Sequence, residues 1–309
     1  MLRLEEISWP QLDALDRSRT VIFVTISPVE EHGPHLPLGT DMYTGRGFTE
    51  AIAAQLEQRY PEFTAVLAPL VPLGSGTAPY LGSIGVPPRL VRDVLLRIGR
   101  AFARDGFRCI IAISGHLGSS HLMAMERAAS KVSKRYGITM LALGATLFQQ
   151  ALRSQTLIDG CARLSEPLTG KALKSTLDAY HGGALETSLM LHLQPDLVLP
   201  EFRQLAPIGP WRLVRWRGWT RDHWPGYVGD PALARADLGR LVLEIVAVGG
   251  ADRVASAAAG EKLAEQGITP LLHGVGRVVR RAALALGVAS LAGMVVGFGL
   301  RLRRNGRAS

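Results

Sequence analysis

The chain is poor in cysteine: it has only Cys109 and Cys161 in 309 residues. Two cysteines that are far apart form neither a disulfide framework nor a CxxC motif, which excludes a small disulfide-stabilised fold. The residues that follow Met1 lack the apolar segment of a secretory signal peptide. We therefore expect the bulk of the protein to lie in the cytoplasm.

Acidic residues are missing from the last part of the chain. The net charge of +9 and the isoelectric point of about 10.1 would suggest a nucleic-acid or anionic-lipid partner. However, no Asp or Glu follows Glu265, whereas seven arginines lie between residues 277 and 307, so the tail carries most of the excess charge. The rest of the chain is close to neutral and has no nucleic-acid-binding motif, so we expect no nucleic-acid partner.

Long apolar runs are also scarce, with one exception at residues 282–300. These 19 residues carry no charge, and arginines flank both ends. A helix of this length spans roughly 28 Å, close to the thickness of a bilayer core. We predict a single transmembrane helix, between a basic linker at 269–281 and a basic tail at 301–309. A buried or interfacial helix is the alternative, because alanine, glycine and serine make up much of the run.

Internal repeats and low-complexity tracts are absent, and the remaining pattern alternates between strands and helices. Strand-like apolar runs occur at 20–27, 63–72, 108–114 and 137–144. Helix-like stretches occur at 43–59, 88–105, 119–136, 183–193, 231–248 and 250–266. This alternation predicts an α/β fold with a central, largely parallel sheet flanked by helices.

Metal-binding side chains are concentrated in residues 30–41 (EEHGPHLPLGTD), directly after the first apolar strand. Glu30 and His32 are two residues apart, so in an extended segment they point to the same side. Glycine and proline residues between them and Asp41 allow the loop to return to the same point. Oxygen and nitrogen ligands of this kind suit a divalent metal ion. The alternative is a polar loop that binds nothing.

Two later segments repeat the pattern of a strand or loop that presents a histidine. Residues 110–119 (IIAISGHLGS) form a strand that runs into a glycine-rich loop with His116, which on a parallel sheet would emerge at the same edge as Glu30. Residues 180–188 (YHGGALETS) place Glu186 near the start of a predicted helix, where the macrodipole favours a carboxylate. Taken singly, these residues could equally be ordinary loop or helix-terminal residues.

Tryptophan is concentrated in residues 208–229, where four of the five tryptophans alternate with arginines. We interpret this segment as an arginine-stacked surface loop or an oligomer contact. A lid over the site and a patch at a membrane interface are the alternatives.

These segments together resemble the creatininase (creatinine amidohydrolase) family. The family motifs read EQHGPHLP with a following Asp, then NGHGGN, then HAGExETS, and residues 226–231 (GYVGDP) match a fourth motif, GxxGDP. The resemblance covers about residues 5–265. It implies a homo-oligomeric α/β hydrolase, here assigned to residues 1–268, with one or two ions of zinc, manganese or iron.

The resemblance also implies roles for individual residues. The metal ligands would be Glu30, His32, Asp41, His116 and Glu186. Asp41 would bridge two ions, and Glu186 would be either a ligand of the second ion or a catalytic proton-transfer group. His181 would act at the substrate, polarising its carbonyl or giving a proton to the leaving nitrogen. Substrate contacts are expected at Ser75, Tyr80 and Leu117.

The chain departs from the family pattern at several positions. Glu31 replaces the usual Gln, Ser114 and Ser119 replace asparagines, Gly118 replaces a glutamate of creatininase, and Ala184 replaces the first glutamate of the third motif. The substrate segment at 76–83 lacks its histidine. These departures argue against creatinine as the substrate.

We therefore expect a metal-dependent amidohydrolase that acts on a linear or cyclic C–N bond of a small-molecule amide, held at the membrane by its C-terminal helix. Within the family, the alternative is a peptidase-like or formamide-deformylating enzyme. The non-enzymatic alternative is a degenerate, membrane-tethered binding subunit.

Overall fold

The computed structural model describes residues 1–177, 181–209 and 225–261. The predicted linker, transmembrane helix and basic tail, together with most of the Trp/Arg segment, lie outside these ranges and stay predictions. Within the described residues, none of the helices has both the length and the apolar character that crossing a bilayer requires.

The five strands form one sheet in the order β1-β3-β2-β4-β5, and all neighbouring strands are parallel. The strands are β1 Leu2–Arg3, β2 Thr20–Thr25, β3 Thr64–Leu67, β4 Cys109–Ile113 and β5 Thr139–Leu143. The two central strands, β2 and β4, are buried along their whole length. A parallel sheet that is covered on both faces requires such continuous apolar strands, and the predicted parallel α/β fold is confirmed.

Nine α-helices are found in the described residues. They are α1 Trp9–Asp13, α2 Thr40–Arg59, α3 Pro88–Arg104, α4 Ser119–Tyr136, α5 Ala145–Leu152, α6 Gln155–Cys161, α7 Gly170–Leu177, α8 Ala184–Leu193 and α9 Ala236–Ala258. Short 3-10 turns occur at Leu4–Glu6, Pro195–Leu197, Pro200–Gln204 and Pro231–Leu233. Helix α3 packs against α4, whereas α2 packs against α8 and α9. Right-handed crossovers place these two groups on opposite faces of the sheet.

The chain reverses its winding direction between β2 and β4. From β2 it crosses through α2 to β3 on one side, and from β4 it crosses through α4 to β5 on the other. The loops that follow β2 and β4 therefore diverge and leave a crevice at the carboxyl edge of the sheet. Ligands of open α/β sheets bind at such switch points.

The C-terminal part of the described chain differs from the sequence prediction. The helical regions predicted at 231–248 and 250–266 meet in one helix, α9, which ends at Ala258 and is preceded by a 3-10 turn at Pro231–Leu233. Residues 262–266 lie outside the described ranges. Helix α9 continues through Gly250, where an added Cβ would lie 2.7 Å from the side chain of Ile52, so the glycine allows close packing on α2. The short helices α5, α6 and α7 were not predicted.

Helix α2 approaches the loop after β4 through two glycines. A Cβ on Gly45 would lie 2.9 Å from the backbone N of Gly115 and 2.8 Å from Ser27 Oγ. A Cβ on Gly115 would lie 2.3 Å from the carbonyl O of Asp41. The close backbone contact between Gly45 and Gly115 therefore sets how near α2 lies to the loop.

We predict that Gly45→Ala lowers the free energy of unfolding by about 1–3 kcal/mol, because the added methyl group overpacks this contact. Gly249→Ala in α9 is the matched control, since the added Cβ would lie 3.5 Å from the side chain of Leu147, an ordinary contact. That control should be neutral or stabilising by up to about 1 kcal/mol. Urea unfolding followed by circular dichroism measures both changes. Equal stability of the two variants would contradict the role of the contact.

Candidate metal centre

The loop after β2 folds back on itself and brings Asp41 close to Glu30. The backbone N of Glu30 donates to the carbonyl O of Leu38 at 2.9 Å, which closes the loop. Gly33, with φ of 84°, provides the turn. Asp41 then lies in the first turn of α2, buried beside the loop after β4. The loop geometry expected from its glycines and prolines is confirmed.

Three ligand atoms converge in a first cluster, formed by Glu30, Asp41 and His116. His116 Nδ1 lies 2.9 Å from Glu30 Oε2 and 3.1 Å from Asp41 Oδ2. His116 Nε2 lies 3.2 Å from the carbonyl O of Ser75. Because a carbonyl oxygen only accepts, Nε2 carries a hydrogen, and Nδ1 is the nitrogen that would present its lone pair to a bound ion.

The donor atoms of the first cluster fit a cation. Glu30 Oε2 and Asp41 Oδ2 are buried, and both face His116 Nδ1, at 2.9 and 3.1 Å. Buried charges of this kind are normally paired or coordinate a metal ion. Two buried carboxylate oxygens and one imidazole nitrogen that converge on one position are a suitable ligand set for a divalent ion.

A second cluster is formed by His32, Asp41 and Glu186. His32 Nε2 lies 3.3 Å from Asp41 Oδ1 and 3.6 Å from Glu186 Oε2. His32 Nδ1 lies 3.0 Å from the carbonyl O of Glu30, so by the same reasoning Nε2 presents its lone pair. Asp41 therefore offers one oxygen to each cluster, which is the bridging arrangement that the family resemblance implies.

Glu186 completes the second cluster from the first turn of α8. Its Oε2 accepts a hydrogen bond from Gly182 N at 2.6 Å. The residue that replaces the creatininase glutamate, Gly118, does not reach this cluster. A Cβ at Gly118 would lie 2.2 Å from His116 Nε2, so in this chain a side chain there would displace the imidazole.

The carboxylates and imidazoles of the two clusters shift each other's proton affinity. Burial lowers the pKa of His32, but the carboxylates of Asp41 and Glu186 outweigh burial and raise it to about 10. Burial also opposes protonation of His116, yet Asp41 and Glu30 raise its pKa well above the usual value. Burial raises the pKa of Asp41, but both imidazoles hold it well below its ordinary value. In the metal-free protein, imidazolium charges thus balance the carboxylates.

His181 lies beside the second cluster and pairs with Glu31. Its Nε2 is 3.4 Å from Glu31 Oε1, and its ring centroid is 4.4 Å from that of His32. The backbone N of Val228 donates to the carbonyl O of His181 at 2.7 Å, which ties the fourth family motif to the site. From the sequence, Glu31 is only a departure from the family motif, because a contact across 150 residues leaves no local pattern.

The three predicted substrate contacts have different surroundings. Ser75 is buried, and its carbonyl orients His116. Tyr80 is half-buried in the 76–83 loop, and the backbone N of Ala78 in that loop donates to Glu30 Oε1 at 2.5 Å. Leu117 packs partly against the hydrophobic core. Substrate binding by these residues stays a prediction.

Competition between protons and the metal ion predicts the pH dependence of binding. Because the pKa of His32 in the metal-free protein is about 10, a cation must displace a proton at every pH below that value. We expect the affinity for Mn²⁺ to rise between pH 6 and pH 8, by roughly tenfold per pH unit for each proton displaced. Calorimetric titration in buffers with different ionisation enthalpies counts the released protons. Binding without proton release would contradict the assignment.

Comparisons with known proteins agree with the fold. The family model described as "Creatinine amidohydrolase" matches residues 5–254. A mycofactocin precursor peptide peptidase of Mycobacterium ulcerans (strain Agy99) is 26% identical over 229 residues, which cover 72% of this chain and 79% of the relative. A creatinine amidohydrolase of Pseudomonas putida is 22% identical over 270 residues, which cover 81% and 94%.

Solved structures share the fold. The crystal structure of a creatinine amidohydrolase (creatininase) matches with a TM-score of 0.62 at 21% identity, covering 82% of this chain and 97% of the other. A structure of a putative creatinine amidohydrolase from Bacteroides fragilis NCTC 9343 matches with a TM-score of 0.61 at 21% identity, covering 83% and 96%. With four motifs in order, a matching family model and the same fold, the chain belongs to the creatininase family.

Proposed function

We propose that the chain is a hydrolase with two divalent ions that cleaves an amide C–N bond. This proposal rests on the position of the Asp41 carboxylate, whose Oδ2 belongs to the first ligand cluster and whose Oδ1 belongs to the second. A carboxylate with one oxygen in each of two adjacent clusters is suited to bridge two ions. Such two-ion sites serve hydrolytic reactions.

Each ion would be held by three protein ligands. The first set is Glu30, Asp41 and His116, and the second is His32, Asp41 and Glu186. Their oxygen and nitrogen donors suit zinc, manganese or iron. Among the matched solved structures, one is named "Creatininase Mn" and another is a creatininase mutant of the Zn-Zn type. When bound, the ions would supply a Lewis acid and lower the pKa of water toward about 7.

We also propose a catalytic role for His181. It lies 3.4 Å from the Glu31 carboxylate, which holds the imidazole at the edge of the second cluster. We propose that His181 polarises the substrate carbonyl or gives a proton to the leaving nitrogen. Glu186 would serve first as a metal ligand and second as a proton-transfer group, because its Oε2 faces His32 and accepts from Gly182 N.

The proposed substrate is a small linear or cyclic amide. A second candidate, cleavage of a short peptide, is favoured by relatives named mycofactocin precursor peptide peptidase. It is also favoured by exposed apolar side chains beside the metal-binding loop. Leu38, Leu81 and Ile84 are 42%, 71% and 60% exposed, and Ile84 N donates a hydrogen bond to Val29 O at that loop.

Three further proposals rest on the sequence alone. They are a homo-oligomer, a catalytic domain in the cytoplasm and a membrane anchor at 282–300.

Metal content tests the two-ion proposal. We expect the full chain, purified with added Mn²⁺, to retain two ions, whereas His116→Ala retains one and Asp41→Ala retains none or one weakly bound. His192→Ala is the matched control, because it removes an exposed histidine outside the site. Elemental analysis by mass spectrometry gives the count. Asp41→Ala protein that keeps two ions and full activity would contradict the proposal.

The role of His181 is tested by separating metal binding from turnover. Lactams, formamides and short peptides are first screened with the metal-loaded protein to identify a substrate. We then expect His181→Gln to lower kcat by about 10²–10⁴-fold and to leave metal content unchanged, because the residue transfers a proton. Ligand atoms of Glu30, His32 and His181 also lie close enough together to form a third possible ligand group. Loss of an ion in His181→Gln would therefore indicate that His181 is a metal ligand.

A further inference from the structure

A further buried histidine, His121, lies behind the first cluster and belongs to none of the ligand groups. It is in the first turn of α4, the helix that follows the loop with His116. His121 Nε2 lies 3.3 Å from the carbonyl O of Ile26, just past the end of β2. It also lies 3.1 Å from Ser114 Oγ, just past the end of β4. One ring nitrogen therefore contacts the residues that directly follow β2 and β4, where the two loops begin to diverge.

The hydrogen on this ring can be assigned from its partners. The carbonyl of Ile26 can only accept, so Nε2 of His121 carries the hydrogen and donates. Nδ1 is buried and has no hydrogen-bond partner among the described residues. Burial lowers the pKa of His121 to about 4, in agreement with a neutral ring. His121 is therefore a fixed donor.

Ser114 connects His121 to the backbone of His116. Ser114 Oγ lies 3.0 Å from His116 N, which donates to it, and 3.1 Å from Ser27 Oγ. Ser27 Oγ in turn accepts from Gly115 N at 3.0 Å. Both backbone N–H groups that lead into the loop are therefore held by side chains, and His121 donates to one of those side chains.

The two imidazoles are also in direct contact. The ring centroids of His116 and His121 are 5.4 Å apart and the planes are inclined by 68°, an edge-to-face arrangement. On its other side, His116 Nε2 bonds to the carbonyl of Ser75. The orientation of the His116 ring, and with it the direction of the Nδ1 lone pair, is thus restrained from two sides.

This arrangement agrees with a departure of the chain from its family pattern. Residue 114 is asparagine in the family motif and serine here. A serine hydroxyl reaches less far than an asparagine amide, and Ser114 Oγ contacts the segment after β2 at Ser27 Oγ, at 3.1 Å. The His121 side chain adds a second link to the same segment, through its contact with Ile26 O.

We propose that His121 is a positioning residue for the ion of the first cluster. It acts through Ser114 and through its ring contact, by fixing the His116 imidazole, and it touches none of the ligand oxygens in the groups described. This inference rests on the proposed two-ion function. Residues that orient metal ligands from behind commonly contribute 10–100-fold to metal affinity.

Co²⁺ titration of the full chain tests the proposal, with visible absorption reporting the geometry around the ion. We expect His121→Leu to weaken one of the two binding steps by about 10–100-fold and to change its absorption bands. Its spectrum at low Co²⁺ should approach that of His116→Ala, which lacks the first-cluster imidazole. The binding step of the second cluster, which contains His32 and Glu186, should keep its Co²⁺ affinity.

Two conservative variants of His121 distinguish a positioning role from a role in packing. His121→Gln keeps an N–H donor at the reach of Nε2 and should restore most of the affinity, whereas the shorter amide of His121→Asn should not. Thermal unfolding of each metal-free variant checks that it folds, and the Gln and Asn pair alone decides the matter if His121→Leu does not fold. His192→Leu should match wild type.

Two results have different consequences. Wild-type affinity and spectrum in folded His121→Leu, or equal affinities for the Gln and Asn variants, would overturn the positioning role alone. Wild-type protein that binds no Co²⁺ would overturn the proposed function and this inference together.

Discussion

The site depends on one close backbone contact, between helix α2 and the loop after β4. Gly45 and Gly115 approach so closely that a Cβ on either would meet the other segment's backbone within 2.9 Å. This contact brings Asp41, in the first turn of α2, against His116. Without it, the carboxylate of Asp41 could not offer one oxygen to the His116 cluster and the other to the His32 cluster. The reversal of winding between β2 and β4 makes room for this approach.

The close contact between α2 and the loop after β4 has an electrostatic consequence. Glu30, Asp41 and Glu186 are brought together with little solvent, and the effective penalty for each desolvated charge is several kcal/mol unless it is paired. In the metal-free protein, His32 and His116 provide that pairing as imidazolium ions. With ions bound, the same imidazoles would serve as neutral ligands. The side chains that stabilise the empty site are thus those that would bind metal, which couples folding, protonation and metal binding.

The sequence predicts much of this arrangement, for identifiable reasons. Strands β2 and β4 are buried on both faces, so their apolar runs are continuous and easily recognised. Glu30, His32 and Asp41 fall within one loop, where glycine and proline reveal the turn. The family motifs add His116 and Glu186, which lie at the same sheet edge.

Other features are tertiary and leave no local pattern. The Glu31–His181 pair spans 150 residues, and the contact of His121 with Ile26 spans 95. For His121, the signal in the sequence is a second histidine five residues after His116. Helices α5, α6 and α7 are short and are stabilised by packing rather than by a long periodic pattern. Helix α9 runs through Gly249 and Gly250 because packing on α2 outweighs the low helix propensity of glycine.

The central claim is that Asp41 connects two ions. Electron paramagnetic resonance of the Mn²⁺-loaded protein tests it most directly, because two Mn²⁺ ions that share a carboxylate are magnetically coupled. We expect a many-line spectrum of a coupled pair at full loading, which is lost in Asp41→Ala. A simple six-line spectrum of isolated Mn²⁺ at two bound ions per chain would contradict it.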